Sequence, residues 1–172
     1  MLIINSRFLT QQITGVQRFA IEISLRLKDM LKDNVLFVAP NNIVQFEIAK
    51  QLNVKIIGKH TGHLWEQWDL PKWLKHNGSP LLLNLCNLAP LRYKNKISTI
   101  HDVSFVRFPQ TYSRKFLLLY QFIIPKIILS SKLILTVSQF SKDEIVDVYK
   151  TDDKKIVVVY NAVSSFFKPL GI

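Results

Sequence analysis

The sequence predicts an α/β domain on a largely parallel sheet, and three observations carry that expectation. Short β-rich runs alternate with longer stretches of helical period. A length of 172 residues gives room for one domain with a sizeable core and too little for two ordinary ones. Apolar residues make up 48% and charged residues 20%, a balance that folds rather than staying disordered.

The strands are expected at Leu2–Asn5, Val35–Ala39, Val54–Ile57, Leu81–Leu85, Lys96–Ile100, Lys132–Val137 and Ile156–Tyr160. Between the first two, Val16, Phe19, Ala20, Ile23, Leu27, Met30 and Leu31 recur at three- and four-residue steps, which places them on one helical face. A second helix is expected over Ile43–Leu52. A third runs from Trp65 to His76, with Pro71 inside it as a source of a kink, before Asn77-Gly78 stops it. Tyr112 to Ser131 reads as a long helix with a kink at Pro125. Ser141 with Glu144 offers a capping box for a helix ending at Tyr149.

Charge and composition narrow the function classes. Lys and Arg number 23 against 12 Asp and Glu, a net +11 that favours an anionic partner. One cysteine, Cys86, cannot close an intramolecular disulfide, and histidines at 60, 63, 76 and 101 have no zinc-site spacing. A reducing, cytoplasmic setting is expected, because the amino-terminal residues lack the pattern of a secretory signal. The most apolar window, Phe116 to Val137, is broken by Pro125, Lys126 and Lys132, which argues against a transmembrane span. Nucleic-acid binding would rest on charge alone, since no zinc finger, RNP signature or recognition helix accompanies it, and no nucleic-acid partner is expected.

In an open parallel α/β sheet, ligands bind at the carboxyl ends of the strands, so the residues following each strand are the candidates. Gly15 opens the first helix; it either relieves a turn or lets backbone N–H groups approach an anion at the helix N-terminus. His101 and Asp102 end the fifth strand, where an imidazole can serve a substrate hydroxyl or merely satisfy a loop carbonyl. Ser138 follows the sixth strand and suits either a helix cap or a phosphate contact. Trp65, Glu66, Trp68 and Asp69 combine two indoles with two carboxylates, a composition suited to sugars and equally to a core-facing stripe. No catalytic triad, paired carboxylates or metal motif stands out.

Six stretches in order resemble the N-terminal half of the GT-B glycosyltransferases of family 4, also called group 1. They are Thr14-Gly-Val-Gln-Arg-Phe-Ala-Ile-Glu22, Leu64-Trp-Glu-Gln-Trp-Asp-Leu-Pro71, Thr99-Ile-His-Asp-Val-Ser104, Phe108-Pro109, Thr136-Val-Ser-Gln-Phe-Ser-Lys142 and Val158-Val-Tyr-Asn161. The resemblance implies a Rossmann-like, doubly wound acceptor-side domain over residues 1–165. Residues 166–172 would begin the connection to a C-terminal domain that holds most of the nucleotide-sugar donor.

The implied activity is retaining transfer of a hexose, mannose among the options, to a lipid-linked or oligosaccharide acceptor. The setting is bacterial surface-polysaccharide assembly, such as O-antigen or capsule, with no cofactor and no catalytic metal, and this half alone is expected to be inactive. By the same resemblance His101 is the catalytic-site residue contacting the transferred sugar, and Gly15 lies near the donor phosphate. Arg18, Asp102, Ser138, Trp65 and Glu66 complete the expected donor or acceptor set. Thr14 stands where the family usually has a second glycine, and Asn161-Ala-Val-Ser164 replaces its usual Asn-Gly-Val-Asp.

Two further expectations concern surfaces. Arg92 to Lys132 carries eight basic residues and one acid, so a peripheral contact with an anionic membrane is expected there, with Phe116, Leu117, Leu118, Leu119 and Tyr120 as apolar contacts. The alternative function is a non-catalytic membrane-surface or anion-binding module of the same fold.

Overall fold

The computed structural model describes residues 1–162. Its strands are β1 Leu2–Asn5, β2 Val35–Ala39, β3 Lys55–Ile56, β4 Leu81–Asn84, β5 Lys96–Thr99, β6 Leu133–Thr136 and β7 Ile156–Val158. All neighbouring pairs are parallel, in the order β3-β2-β1-β4-β5-β6-β7. Leu2 aligns with both Val35 and Leu81, so β1 lies at the centre where the winding reverses. The Rossmann-like expectation is met.

The helices are α1 Gly15–Leu31, α2 Phe46–Leu52, α3 Gly62–Leu64, α4 Leu70–His76, α5 Ser104–Arg107, α6 Arg114–Ser130 and α7 Gln139–Tyr149. Side chains alternate across a strand, and the core divides accordingly. Ile4 and Leu83 pack with Ala20 and Ile21 of α1 on one face, whereas Ile3 and Leu82 pack with Trp65, Leu70 and Leu74 on the other. Ile100 and Ile134 pack with Ile124, Ile127 and Ile128 of α6 and Ile145 of α7. Both faces of the central strands are covered, which is why they read as unbroken apolar runs.

Several local expectations are corrected. The third strand shrinks to Lys55–Ile56, an edge pair on β2. The third helix, expected from Trp65 to His76, divides into a π-helical turn at Trp65–Asp69 and α4, and α3 precedes it. Pro71 has no N–H to donate to the preceding turn, and the helix widens just before it rather than continuing as a regular α-helix. The cap of α7 is Ser138, whose Oγ accepts from Ser141 N at 3.0 Å; Glu144, expected in a capping box, instead pairs with Arg107. α6 runs through Pro125 without interruption. The expected boundary at residue 165, the connection 166–172 and Ser164 lie outside the described residues.

Candidate functional site

The carboxyl ends of β1, β4, β5 and β6 bring together most of the candidate residues. Phe19, in the second turn of α1, meets the His101 ring edge-on with centroids 5.0 Å apart. The Thr136 hydroxyl, at the end of β6, contacts the His101 carbonyl at 3.4 Å. Asn87, after β4, accepts the His101 backbone N–H at 2.9 Å. The histidine is therefore tied to α1, β4 and β6 at once.

His101 is 8% exposed, and its Nε2 lies 3.1 Å from the Leu85 carbonyl. A carbonyl only accepts, so Nε2 carries the proton and Nδ1 is left as an acceptor. Burial holds the imidazole below its usual pKa, with the Leu85 carbonyl and the Asp102 charge pulling the other way. The ring is neutral at pH 7. To donate to a substrate it must exchange its bond to Leu85.

Asp102 is exposed and accepts from Ser104 N at 2.9 Å and Ser104 Oγ at 2.6 Å. It braces the turn into α5. Ser138 caps α7 as described above. Gly15 opens α1, and Gln17 Oε1 accepts the Thr14 N–H at 3.2 Å in a capping arrangement. A Cβ added at Gly15 would meet nothing within 4 Å, and its φ is not in the left-handed region. Neither backbone strain nor internal packing requires glycine there. Gly15, Arg18 and Phe19 face Tyr160 and Asn161 across a cavity of about 330 Å³.

Glu66 reaches the same end of the sheet from below. It is 1% exposed, and Oε1 accepts from Asn5 Nδ2 at 2.8 Å, while Asn5 Nδ2 also reaches Asn84 Oδ1 at 3.0 Å. Arg7 Nε lies 3.2 Å from Glu66 Oε1. Burial alone would raise the carboxyl pKa, yet the Arg7 guanidinium, His63 and Asn5 together lower it. A buried ion pair thus sits between β1 and β4, at the point where the sheet's winding reverses. Arg7 and Asn5 were not among the residues singled out from sequence; the available signal was a polar pair placed directly at the carboxyl end of the first strand.

Trp65 is corrected as a ligand platform. Its side chain is fully buried and Nε1 donates to the Ile57 carbonyl at 2.7 Å. Trp68, three residues on, is 56% exposed. The π-helical turn separates two indoles that a regular helix would have placed on one stripe. Among the described residues, no group of three or more His, Cys, Asp or Glu is arranged to hold a metal ion.

A seven-stranded parallel sheet with candidate polar groups gathered at its carboxyl ends defines a doubly wound α/β domain whose ligand site belongs at those ends. Residues 13–165 match Glycosyltransferase Family 4, and the chain belongs to that family. It is 30% identical over 91 residues to the O-antigen chain mannosyltransferase RfbU of Salmonella typhimurium, covering 53% of this chain and 25% of that protein. The crystal structure of Anabaena Alr3699/HepE in complex with UDP and glucose superposes with a TM-score of 0.58 at 14% identity, covering 94% of this chain and 44% of that one. The fold is Rossmann-like and matches part of a GT-B glycosyltransferase. The chain spans about a quarter of the mannosyltransferase and under half of the structural neighbour.

Proposed function

We propose that this chain is the acceptor-side domain of a retaining hexosyltransferase that uses a nucleotide-sugar and builds a bacterial surface polysaccharide on a lipid-linked or oligosaccharide acceptor. The observation that carries the proposal is Gly15: a glycine at the start of a 17-residue helix, facing open space, with no internal reason to be glycine. Backbone N–H groups at such a helix start attract an anion, and the diphosphate of a nucleotide-sugar donor is the anion proposed here. Arg18, one turn into α1, adds a cation beside it. His101 serves the transferred sugar and Ser138 lies at the neighbouring strand end, with the Glu66 and Arg7 pair holding the β1 and β4 ends in place. Resemblance to an O-antigen mannosyltransferase supports the polysaccharide setting, and the UDP and glucose bound to HepE support a nucleotide-sugar donor. The reaction needs no catalytic metal in this reading.

The test joins this chain to a family-4 C-terminal domain and measures donor binding and transfer. The joined protein is expected to bind and turn over a nucleotide-sugar that the chain alone does not. Turnover by the chain alone would overturn its assignment as a half-enzyme; donor binding without transfer to any acceptor would favour the non-catalytic alternative.

A second surface supports peripheral membrane attachment on the cytoplasmic side. Phe116, Leu117 and Tyr120 of α6 pack against the core, which corrects their expected role as lipid contacts. Leu118, Phe122 and Leu129 face outward at 71%, 60% and 82% exposure, with Arg114, Lys115 and Lys126 among them. No acid lies on α6. An apolar stripe edged by cations suits anionic lipid headgroups. No helix among the described residues is long and apolar enough to cross a membrane. Sedimentation with anionic but not neutral vesicles, lost in Leu118→Ser/Phe122→Ser, is the expected result; equal recovery on both lipids would count against attachment.

A further inference from the structure

We propose that the groove along the exposed side of α4, centred on Trp68, binds an acidic saccharide chain. Two adjoining cavities of about 450 and 330 Å³ make up this groove and share Trp68, Lys72 and His76 in their linings. The Trp68 indole is more than half exposed, and the Arg92 guanidinium stands 5.8 Å from its ring centroid. Such a face is flat and apolar, with cations at its margin.

The charges around it decide what chemistry it accepts. Lys59, Lys72, Lys75 and Arg92 supply only donors, so the occupant must be rich in acceptors. The one acid in the lining, Asp69, has an 11% exposed side chain and is consumed internally: it accepts from Lys59 N and His60 N at 2.8 Å each and from His60 Nδ1 at 2.9 Å. Those bonds hold its carboxyl below the ordinary range. Gly58 permits this closure, because its φ is +77° and any Cβ there would overlap the Asp69 carboxylate. The groove therefore presents cations without a competing free carboxylate, and its field favours an anion.

An indole face flanked by donors suits the apolar face of a pyranose ring, and the cations suit a carboxylate on it. The groove is also rigidly coupled to the cleft. The same π-helical turn sends Glu66 inward to the β1 and β4 ends and Trp68 outward. Gln67 between them donates to the Ala89 carbonyl and accepts from Leu91 N, both at 2.9 Å, which fastens the turn to the chain following β4. A growing acidic glycan lying on Trp68 is thus held by the element that builds the cleft floor. This deepens the assignment as an acceptor-side domain, and rests on it for the identity of the occupant.

The experiment titrates the chain with tetragalacturonate, maltotetraose and an oligothymidylate of similar charge, following tryptophan fluorescence and calorimetric heat. Saturable binding of tetragalacturonate is expected, weakened at least about tenfold by Trp68→Ala and again by Arg92→Gln, with maltotetraose weaker by a similar factor. Trp68 is exposed, so an unchanged thermal melt verifies that the variant is folded. Absence of saturable tetragalacturonate binding, equal binding by the folded Trp68→Ala variant, or tighter binding of oligothymidylate overturns the proposal. Sugar transfer by the joined two-domain protein while this chain ignores tetragalacturonate overturns the groove alone. Tetragalacturonate binding that depends on Trp68, without transfer by the joined protein, upholds the groove and overturns the transferase reading.

Discussion

Phe19 and His101 meet edge to face, 5.0 Å between ring centroids, and so join the first helix to the end of the fifth strand. This contact puts the N-terminus of α1 beside an imidazole held neutral by burial. A donor diphosphate at one and a sugar hydroxyl at the other would be neighbours on the same bound molecule.

Replacement of His101 by Ala in the joined two-domain protein is expected to lower kcat with little change in donor KM. Loss of one preorganised hydrogen-bonding group costs about 2.7–4 kcal/mol, or roughly a hundred- to thousand-fold in rate. Steady-state kinetics beside a thermal melt make the comparison. An unchanged kcat in the folded variant would leave His101 only its bond to Leu85.

Gly15→Ala separates the two roles weighed for that glycine. The position is open and not left-handed, so the chain itself loses nothing, and stability should stay within about 1 kcal/mol of wild type on the stabilising side. Donor KM in the joined protein should rise, because the added methyl occupies the approach to the helix start. A large drop in melting temperature would show that glycine serves the fold instead.

The Arg7 and Glu66 pair predicts a dependence on pH. Glu66 has a folded pKa below its ordinary 4.5, so the stability it contributes is present above that value and lost as pH falls through the folded one. Glu66→Gln should flatten this acid limb of a denaturation series. Arg7→Met should cost about 3–5 kcal/mol at pH 7, since it strands a buried carboxylate. Burial then acts on Glu66 unopposed by that charge, the carboxyl takes up a proton on folding, and the deficit against wild type should narrow on acidification.

Lys96 gives the opposite limb. Its side chain is fully buried, donating to the Tyr93 carbonyl at 2.7 Å and to Ser130 Oγ at 2.8 Å. Burial, with Lys155 nearby, pulls its pKa from 10.5 down to about 8. Between those values the unfolded chain binds the extra proton, so stability should increase with pH across that window. Across this window the melting temperature of wild type should rise relative to that of Lys96→Met; parallel curves would assign the titration elsewhere.

How much was legible follows from the range of each interaction. The alternation of apolar runs with helical periods is a local property, and it located all seven strands and the long helices because buried parallel strands must be apolar on both faces. Carboxyl-end positions followed from the same rule, so Gly15, His101 and Ser138 were accessible from the residues alone. Partners were not. Arg7 and Glu66 are far apart in the chain, and only packing of the π-helical turn under β1 and β4 brings them within 3.2 Å.

Residue order and composition are enough to specify the fold class, the ends of the sheet where chemistry belongs and the surplus of positive charge. Which of the two indoles is core and which is surface emerges only on packing. That decision turns on the helix widening ahead of Pro71, a backbone adjustment that no side-chain periodicity encodes. Packing likewise decides that Leu118 and Phe122 of α6 face solvent while Phe116 and Tyr120 face the core, because a helix presents its sides according to what it packs against.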